Sequence, residues 1–182
     1  MNIAAGSVWI SWLRTTTNTI VATGASVNGF NNIGAFIPVL ELPSSSGMDF
    51  GSTAIGPSGQ VVVNYQDNNG NGPANIYLNT KANGLGSGGF GPRVTVTSTN
   101  VGGFAPIPAQ PNRTIDAEGN LAYDHVVDRL YLVYVDRPTT SSSDTNIFFR
   151  YSFTTRTPGR YRKVLGPLAD RFTMASHLLD WN

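Results

Sequence analysis

One loop of the sequence has the residue spacing of a calcium site. Asp67, Asn69 and Asn71 stand at alternating positions of this loop, and oxygen ligands at alternating positions can surround a hard cation such as Ca²⁺. The position at which a calcium loop places its bidentate acid is occupied here by Leu78, which offers no oxygen. Asn and Gly are also the usual residues of tight turns. The loop therefore has two interpretations, a weak calcium site or a plain polar turn.

The composition restricts the chemistry of the rest of the chain. The 182 residues include no Cys, which excludes disulfides and thiol chemistry. The net charge is +1, so there is no basic field to hold nucleic acid. No apolar run reaches the length of about 18 residues that spans a membrane. Charged residues make up only 13% of the chain, and Gly and Pro are frequent, a balance that favours an all-β, loop-rich protein.

Three stretches of the chain repeat the same pair of strands, in which an aromatic-ended strand is followed by a second strand. The closing aromatics, Trp12, Tyr65 and Tyr134, lie 53 and 69 residues apart. A repeat of this size made of short strands is typical of a β-propeller blade or a solenoid coil. Because residues that recur in every unit usually belong to the core, we expect these aromatics to be core residues and not catalytic ones.

The repeats predict a single all-β domain over residues 1–182, a β-propeller segment of about three four-stranded blades. The blade-like units cover about residues 6–42, 48–99 and 113–166, and residues 167–182 begin a further blade. The strands of a unit are named A to D; strand B, which ends in the aromatic, is apolar enough to be packed on both faces. Propellers close with about 4–8 blades, so we expect either a longer chain or a second copy that completes a six-bladed ring. A solenoid stalk is the alternative, but its units rarely vary so much in length.

The phrases within each unit resemble the Asp-box (BNR) repeats of sialidase-like propellers. One phrase is strand A, a turn and strand B, as in residues 122–134. A second is the strand that begins with Asn-Ile, at Asn75 and again at Asn146. A third is an aromatic residue before a strand that carries Pro-x-Val, as in residues 90–94. The resemblance implies a sialidase-like propeller.

The family's signature, Ser-x-Asp-x-Gly-x-Thr-Trp, belongs in the turn between strands C and D and is incomplete here. Residues 80–84 lack its Asp, and residues 152–156 lack both its Asp and its Gly. The order of the phrases therefore follows the family, whereas the diagnostic residues of the turn do not.

In propellers of this kind the binding site lies on the face formed by the D-to-A and B-to-C loops. The resemblance therefore implies a site there, and the ligand-binding candidates in these loops are Asp49, Arg113, Asp116, Asp136 and Arg137. The longest insertion, residues 101–111, lies on the same face. It either shapes a binding rim or only spans a gap between blades.

Enzymatic members of the family would need three arginines for a substrate carboxylate, a Tyr nucleophile paired with a Glu, and an Asp acid/base. The only Glu residues are Glu41 and Glu118. The family's Arg-Ile-Pro phrase is absent, since Arg113 is followed by Thr114 and Ile115. No catalytic residue is therefore assigned.

These observations favour a non-catalytic module that binds a glycan or a protein, or that serves as a scaffold. The resemblance implies a secreted or cell-surface location, although the first residues do not have the pattern of a signal peptide. The alternative is part of an exo-acting glycoside hydrolase of the exo-α-sialidase kind, with a site that further blades complete. No cofactor is expected, and a calcium ion would be bound only if the Asp67 loop is the weak site of its first interpretation.

Overall fold

The computed structural model describes residues 6–70, 72–107, 110–152 and 161–164. Over these residues the chain has fourteen strands and no helix, and every strand pairing is antiparallel. The prediction of an all-β fold is confirmed. Within the same ranges, there is no helix with the length and apolar character needed to cross a membrane.

The strands form three four-stranded sheets in chain order and one hairpin between the second and third sheets. The first sheet contains β1 (Gly6–Arg14), β2 (Thr19–Gly29), β3 (Asn32–Ile33) and β4 (Leu40–Glu41). The second sheet contains β5 (Met48–Ile55), β6 (Val61–Asp67), β7 (Ala74–Lys81) and β8 (Val94–Thr99). The hairpin contains β9 (Ala105–Ile107) and β10 (Gln110–Ile115). The third sheet contains β11 (Asn120–Asp124), β12 (Arg129–Asp136), β13 (Asn146–Ser152) and β14 (Tyr161–Val164).

The second and third sheets follow the predicted order of strands A to D, but the first sheet differs at its edge. The last strand of the first unit is interrupted. Gly34, Ile37 and Leu42 donate backbone hydrogen bonds to β2 around the interruption. Pro38 lies in the middle and has no N–H group to donate, so the edge is reduced to the short strands β3 and β4.

The second sheet lies between the other two and is buried on both faces. On one face, Val61, Val63 and Tyr65 of β6 pack against Trp9 and Ile20 of the first sheet. Because successive side chains of a strand point to opposite faces, the residues between them face the third sheet. The prediction that strand B is packed on both faces is confirmed for β6.

The core on the other face joins the second sheet to the third. Val62 and Leu78 pack there against Leu130, Leu132 and Tyr134. Full burial of an aliphatic side chain of this size contributes about 1.5–3 kcal/mol, so apolar contact is the main force that holds the two sheets together.

Two of the three repeated aromatics are core residues, as predicted. Tyr65 and Tyr134 are fully buried, and burial raises the pKa of the Tyr65 hydroxyl far above its ordinary value. The prediction for Trp12 is wrong, because that side chain is partly exposed. On β1, Trp9 and Leu13 pack towards the second sheet. Trp12 is an odd number of residues from both, so its side chain lies on the opposite face of the strand.

The turn between β7 and β8 is organised by a buried cation. The Lys81 side chain is fully buried, with 0% exposure. Its Nζ donates hydrogen bonds to the carbonyl oxygens of Gly86, at 2.8 Å, and Gly88, at 2.5 Å, and to Asn83 Oδ1 at 3.3 Å. This is the turn in which the resemblance would place an Asp, and here a lysine holds the loop by its carbonyl oxygens.

Candidate ligand-binding cleft

A cleft of about 510 Å³ opens between the second sheet, the hairpin and the start of the third sheet. Its size is within the range of small-molecule sites, about 300–1,000 Å³. The side chains that line it are Asp49, Gln66, Phe104, Asp116, Glu118 and Asn120, together with Gly51 and Gly119. The lining thus contains three carboxylates, two amides and one aromatic ring.

The alternation of β6 places an amide in the cleft. Val62, Asn64 and Gln66 share the face that points to the third sheet. Val62 is in the apolar core, Asn64 bonds to the carbonyl oxygen of Gly119, and Gln66 accepts a hydrogen bond from the backbone N–H of Glu118. The strand therefore changes from apolar to polar as it approaches the cleft.

Asp49 and Gln66 are directly opposite each other in the β5–β6 register. Directly opposed residues of an antiparallel pair have their side chains on the same face. Asp49 Oδ2 and Gln66 Nε2 are both buried, and neither has a hydrogen-bond partner among the residues that the structure describes. Gln66 is only 3% exposed. Two residues that line the cleft thus each have an unpaired polar atom, a carboxylate acceptor on Asp49 and an amide donor on Gln66.

The segment that leads into β11 contributes three more polar side chains. Ala117 is buried away from the cleft, whereas Asp116, Glu118 and Asn120 line it together with the buried Gly119. Ala117 is fixed from the third sheet, because its carbonyl oxygen accepts a hydrogen bond from Val135 N at 2.8 Å. The segment is thus held by hydrogen bonds to the third sheet, at Ala117, and to the second sheet, at Glu118 and Gly119.

Two cleft residues have an unusual backbone conformation. Phe104 has φ +66° and Glu118 has φ +45°. Positive φ is uncommon outside Gly and Asn, and for a bulky residue it is an outlier that is often found at functional sites. Phe104 is held in this conformation by a hydrogen bond from its N–H to Asp116 Oδ1 at 2.6 Å, and its side chain is 57% exposed.

The electrostatics of the cleft are dominated by negative charge. Burial raises the pKa of the Asp49 carboxyl above its ordinary value, and the neighbouring Asp116 carboxylate raises it further. Among the described residues, no side chain that lines the cleft is a cation. The cleft therefore disfavours an anionic ligand and favours a neutral or cationic one.

The structure brings together two of the five candidates predicted from sequence, Asp49 and Asp116. Arg113 is exposed on β10 and is not among the cleft-lining residues. Asp136 and Arg137 are buried where the second and third sheets meet. Asp136 Oδ1 accepts hydrogen bonds from Thr99 Oγ1 and from the backbone N–H groups of Asn100 and Arg137. The hydrogen bonds of Asp136 and Arg137 therefore join the second sheet to the third.

The predicted calcium loop is held by its own hydrogen bonds. Asp67 Oδ2 accepts from the backbone N–H and the side-chain Nδ2 of Asn75, both at 2.8 Å. Asn69 Nδ2 donates to the carbonyl oxygen of Pro73 at 2.7 Å. Asn71 lies outside the described residues. Among the residues that are described, no group of three or more His, Asp or Glu side chains is arranged to hold a metal ion, and a calcium site here stays a prediction.

Sequence reasoning did not select Gln66, Phe104 or Asn120. Gln66 could have been found as one of two polar residues, with Asn64, at alternating positions of the otherwise apolar run over residues 61–66 of β6. Phe104 lies in the 101–111 insertion, for which a binding rim was one of the two interpretations. Asn120 carries no sequence signal that separates it from an ordinary turn residue.

A second cavity, of about 610 Å³, has a very different lining. It contains backbone of several glycines, the apolar side chains of Ile55 and Leu85, and His125. His125 Nε2 lies 2.9 Å from the carbonyl oxygen of Ile55, so this ring nitrogen is already engaged. Among the described residues, its lining contains no carboxylate, Lys or Arg, and the polar cleft is the stronger candidate.

Compared with models of known protein families, with curated proteins and with solved structures, the chain has no match. The functional assignment of the cleft therefore depends on its own geometry.

Proposed function

We propose that this chain is a non-catalytic carbohydrate-binding module and that its ligand lies in the cleft. The observation that carries the proposal is that Asp49 Oδ2 and Gln66 Nε2, on residues directly opposed in the β5–β6 register, both lack a partner among the described residues. A hydroxyl group both donates and accepts hydrogen bonds, so one sugar hydroxyl can satisfy the carboxylate and the amide together. Leaving such atoms unpaired costs about 1–3 kcal/mol each, which a ligand hydroxyl would recover.

The rest of the lining supports a sugar as the ligand. Phe104 offers an exposed aromatic face against which the C–H groups of a sugar ring can pack, and Asn120 and Glu118 offer further polar contacts. The proposal does not extend to sialidase activity, because an acidic sugar would meet three carboxylates in the lining without a cation to receive it.

We also infer that the three sheets are consecutive blades of a sialidase-like propeller. Their serial face-to-face packing and the matching strand order of the second and third sheets support this inference. Closing a ring would need further blades, from additional chain or from a second copy. Light scattering distinguishes these, since a second copy predicts twice the chain mass of 19.5 kDa. A secreted or cell-surface location is proposed from the resemblance alone.

The test of glycan binding is calorimetric titration with tetrasaccharides of glucose, N-acetylglucosamine and glucosamine. We expect at least one to bind, and Phe104→Ala to weaken that binding by about tenfold, the loss of about 1.4 kcal/mol of contact. Phe30→Ala is the matched control, because Phe30 is 91% exposed and is not a cleft residue. Failure of all three sugars to bind, or equal effects of the two variants, would overturn the proposal.

A further inference from the structure

We propose that the cleft recognises its sugar through a protonated amino group, so that the preferred ligand is an amino sugar with a free amine. The inference rests on the proposed function and names the chemical class of the ligand. Its basis is the negative charge of the lining, the exposed ring of Phe104 and the unpaired Nε2 donor of Gln66.

The carboxylates of the cleft have no cation beside them among the lining residues that the structure describes. Asp49 and Asp116 are close enough for the charge of one to act on the other. Glu118 adds a third, exposed carboxylate. Like charges that share a site repel each other, and a bound cation relieves that repulsion. An ammonium group meets this need and can donate three hydrogen bonds.

Phe104 adds a second means of recognising a cation. The ring is exposed beside Asp116, to which the Phe104 N–H is bonded at 2.6 Å. A cation near the face of an aromatic ring is attracted to it as well as to neighbouring carboxylates. An amine placed between the ring and the carboxylates would gain from both interactions.

Gln66 distinguishes a sugar from a lysine side chain. The Gln66 side chain is 3% exposed and lines the cleft, and its Nε2 has no acceptor in the described part of the chain. A lysine ammonium has donors only, so it leaves this N–H group unpaired. An amino sugar supplies a hydroxyl acceptor for Gln66 as well as an ammonium for the carboxylates.

The test compares the tetrasaccharide of glucosamine with that of N-acetylglucosamine, at about pH 6 and low salt, where the free amine is protonated. We expect the free amine to bind about tenfold or more tightly, as a charge-assisted hydrogen bond would give. The preference should decrease as salt is added. Glu118→Gln should reduce the preference, whereas Glu41→Gln, an exposed Glu paired with Arg14, should leave it unchanged.

The outcomes separate this inference from the proposed function. Equal affinity for the two tetrasaccharides overturns the role of the amine and leaves glycan binding in place. Absence of binding to either, and to the glucose tetrasaccharide, overturns both. A lysine tripeptide that binds as tightly as the glucosamine tetrasaccharide also overturns the inference, because the cleft would then be a general cation site.

The variant Gln66→Leu separates hydroxyl recognition from charge. It should weaken the binding of both tetrasaccharides by the same factor.

Discussion

Asn64 of β6 donates a hydrogen bond from Nδ2 to the carbonyl oxygen of Gly119 at 2.8 Å, and this bond joins the second sheet to the third. The same side chain accepts hydrogen bonds at Oδ1 from the backbone N–H and the hydroxyl of Ser52. Ser52 Oγ in turn accepts from Leu121 N at 2.6 Å. A hydrogen-bonded network of this kind, with Asn64 and Gly119 buried, fixes the relative position of the two sheets beside the cleft.

We expect Asn64→Ala to destabilise the protein by about 2–4 kcal/mol, because it leaves the Gly119 carbonyl and the Ser52 N–H without partners in a buried setting. The free energy of unfolding, measured with urea, tests this. Asn28→Ala is the matched control, since Asn28 is exposed and bonds only to the nearby Ser26 hydroxyl. Equal losses in the two variants would mean that Asn64 contributes nothing special.

Gly119 is predicted to tolerate no side chain while Asn64 is present. A methyl group added at Gly119 would lie 2.4 Å from Asn64 Nδ2 and 3.1 Å from Leu132 Cδ1. Overpacking of this kind costs about 1–3 kcal/mol, so Gly119→Ala should lower the free energy of unfolding by that amount. Gly89→Ala is the control, because nothing lies within 4 Å of the added methyl group there.

A double-mutant cycle then tests whether the two residues are coupled. In the Asn64→Ala background the clash with Nδ2 is removed, so Gly119→Ala should cost less than it does in the wild type. Strict additivity of the two losses would contradict the contact between them.

Much of the strand pattern could be predicted from the sequence, because burial on both faces leaves a clear pattern. The apolar run of β6 and the repeated Tyr65 and Tyr134 arise from packing on two sides, and both tyrosines are buried as expected. The edge of the first sheet was harder to predict, because the interruption at Pro38 depends on which N–H groups face β2. The start of β5 at Met48 was also hard to predict, because Gly51 and Ser52 are residues of low strand propensity.

The cleft could be predicted only in part, for a different reason. Asp49 and Asp116 were found because they are charged residues in loops on one predicted face. Gln66 was missed because its role depends on the register that sets it opposite Asp49. Phe104 was missed because nothing in the sequence indicates that a Phe will adopt φ +66°. Register and backbone conformation arise from tertiary packing, which one sequence does not reveal.

Lys81 is expected to hold the β7–β8 turn closed. Lys81→Met keeps the length of the side chain but removes the donor to Gly86 and Gly88. We expect a loss of stability of about 1–3 kcal/mol and faster amide hydrogen exchange over residues 83–89. Arg14→Met is the control, because an exposed ion pair such as Arg14–Glu41 contributes only about 0–1 kcal/mol. Unchanged exchange in the turn of Lys81→Met would contradict this role.

Asp49 is expected to lower the stability of the ligand-free protein at neutral pH, although it contributes to ligand binding in the cleft. Burial, and then the Asp116 carboxylate, raise its pKa in the folded state above the ordinary 3.8. Between the ordinary and the raised pKa the folded state binds more protons than the unfolded state, so stability decreases as pH rises through this window. Asn does not ionise, so Asp49→Asn removes this loss of folding stability. The variant should therefore be more stable than the wild type at neutral pH, with a smaller gain below pH 3.8.

Urea unfolding at the two pH values measures this difference, and Asp144→Asn, at an exposed position, controls for the change in net charge. If the gain of Asp49→Asn were the same at both pH values, the raised pKa would be excluded. The same substitution should weaken sugar binding, because an amide is a weaker partner than a carboxylate for an ammonium donor. A protein that becomes more stable and binds less tightly through one substitution is the behaviour expected of a residue retained for its ligand and not for the fold.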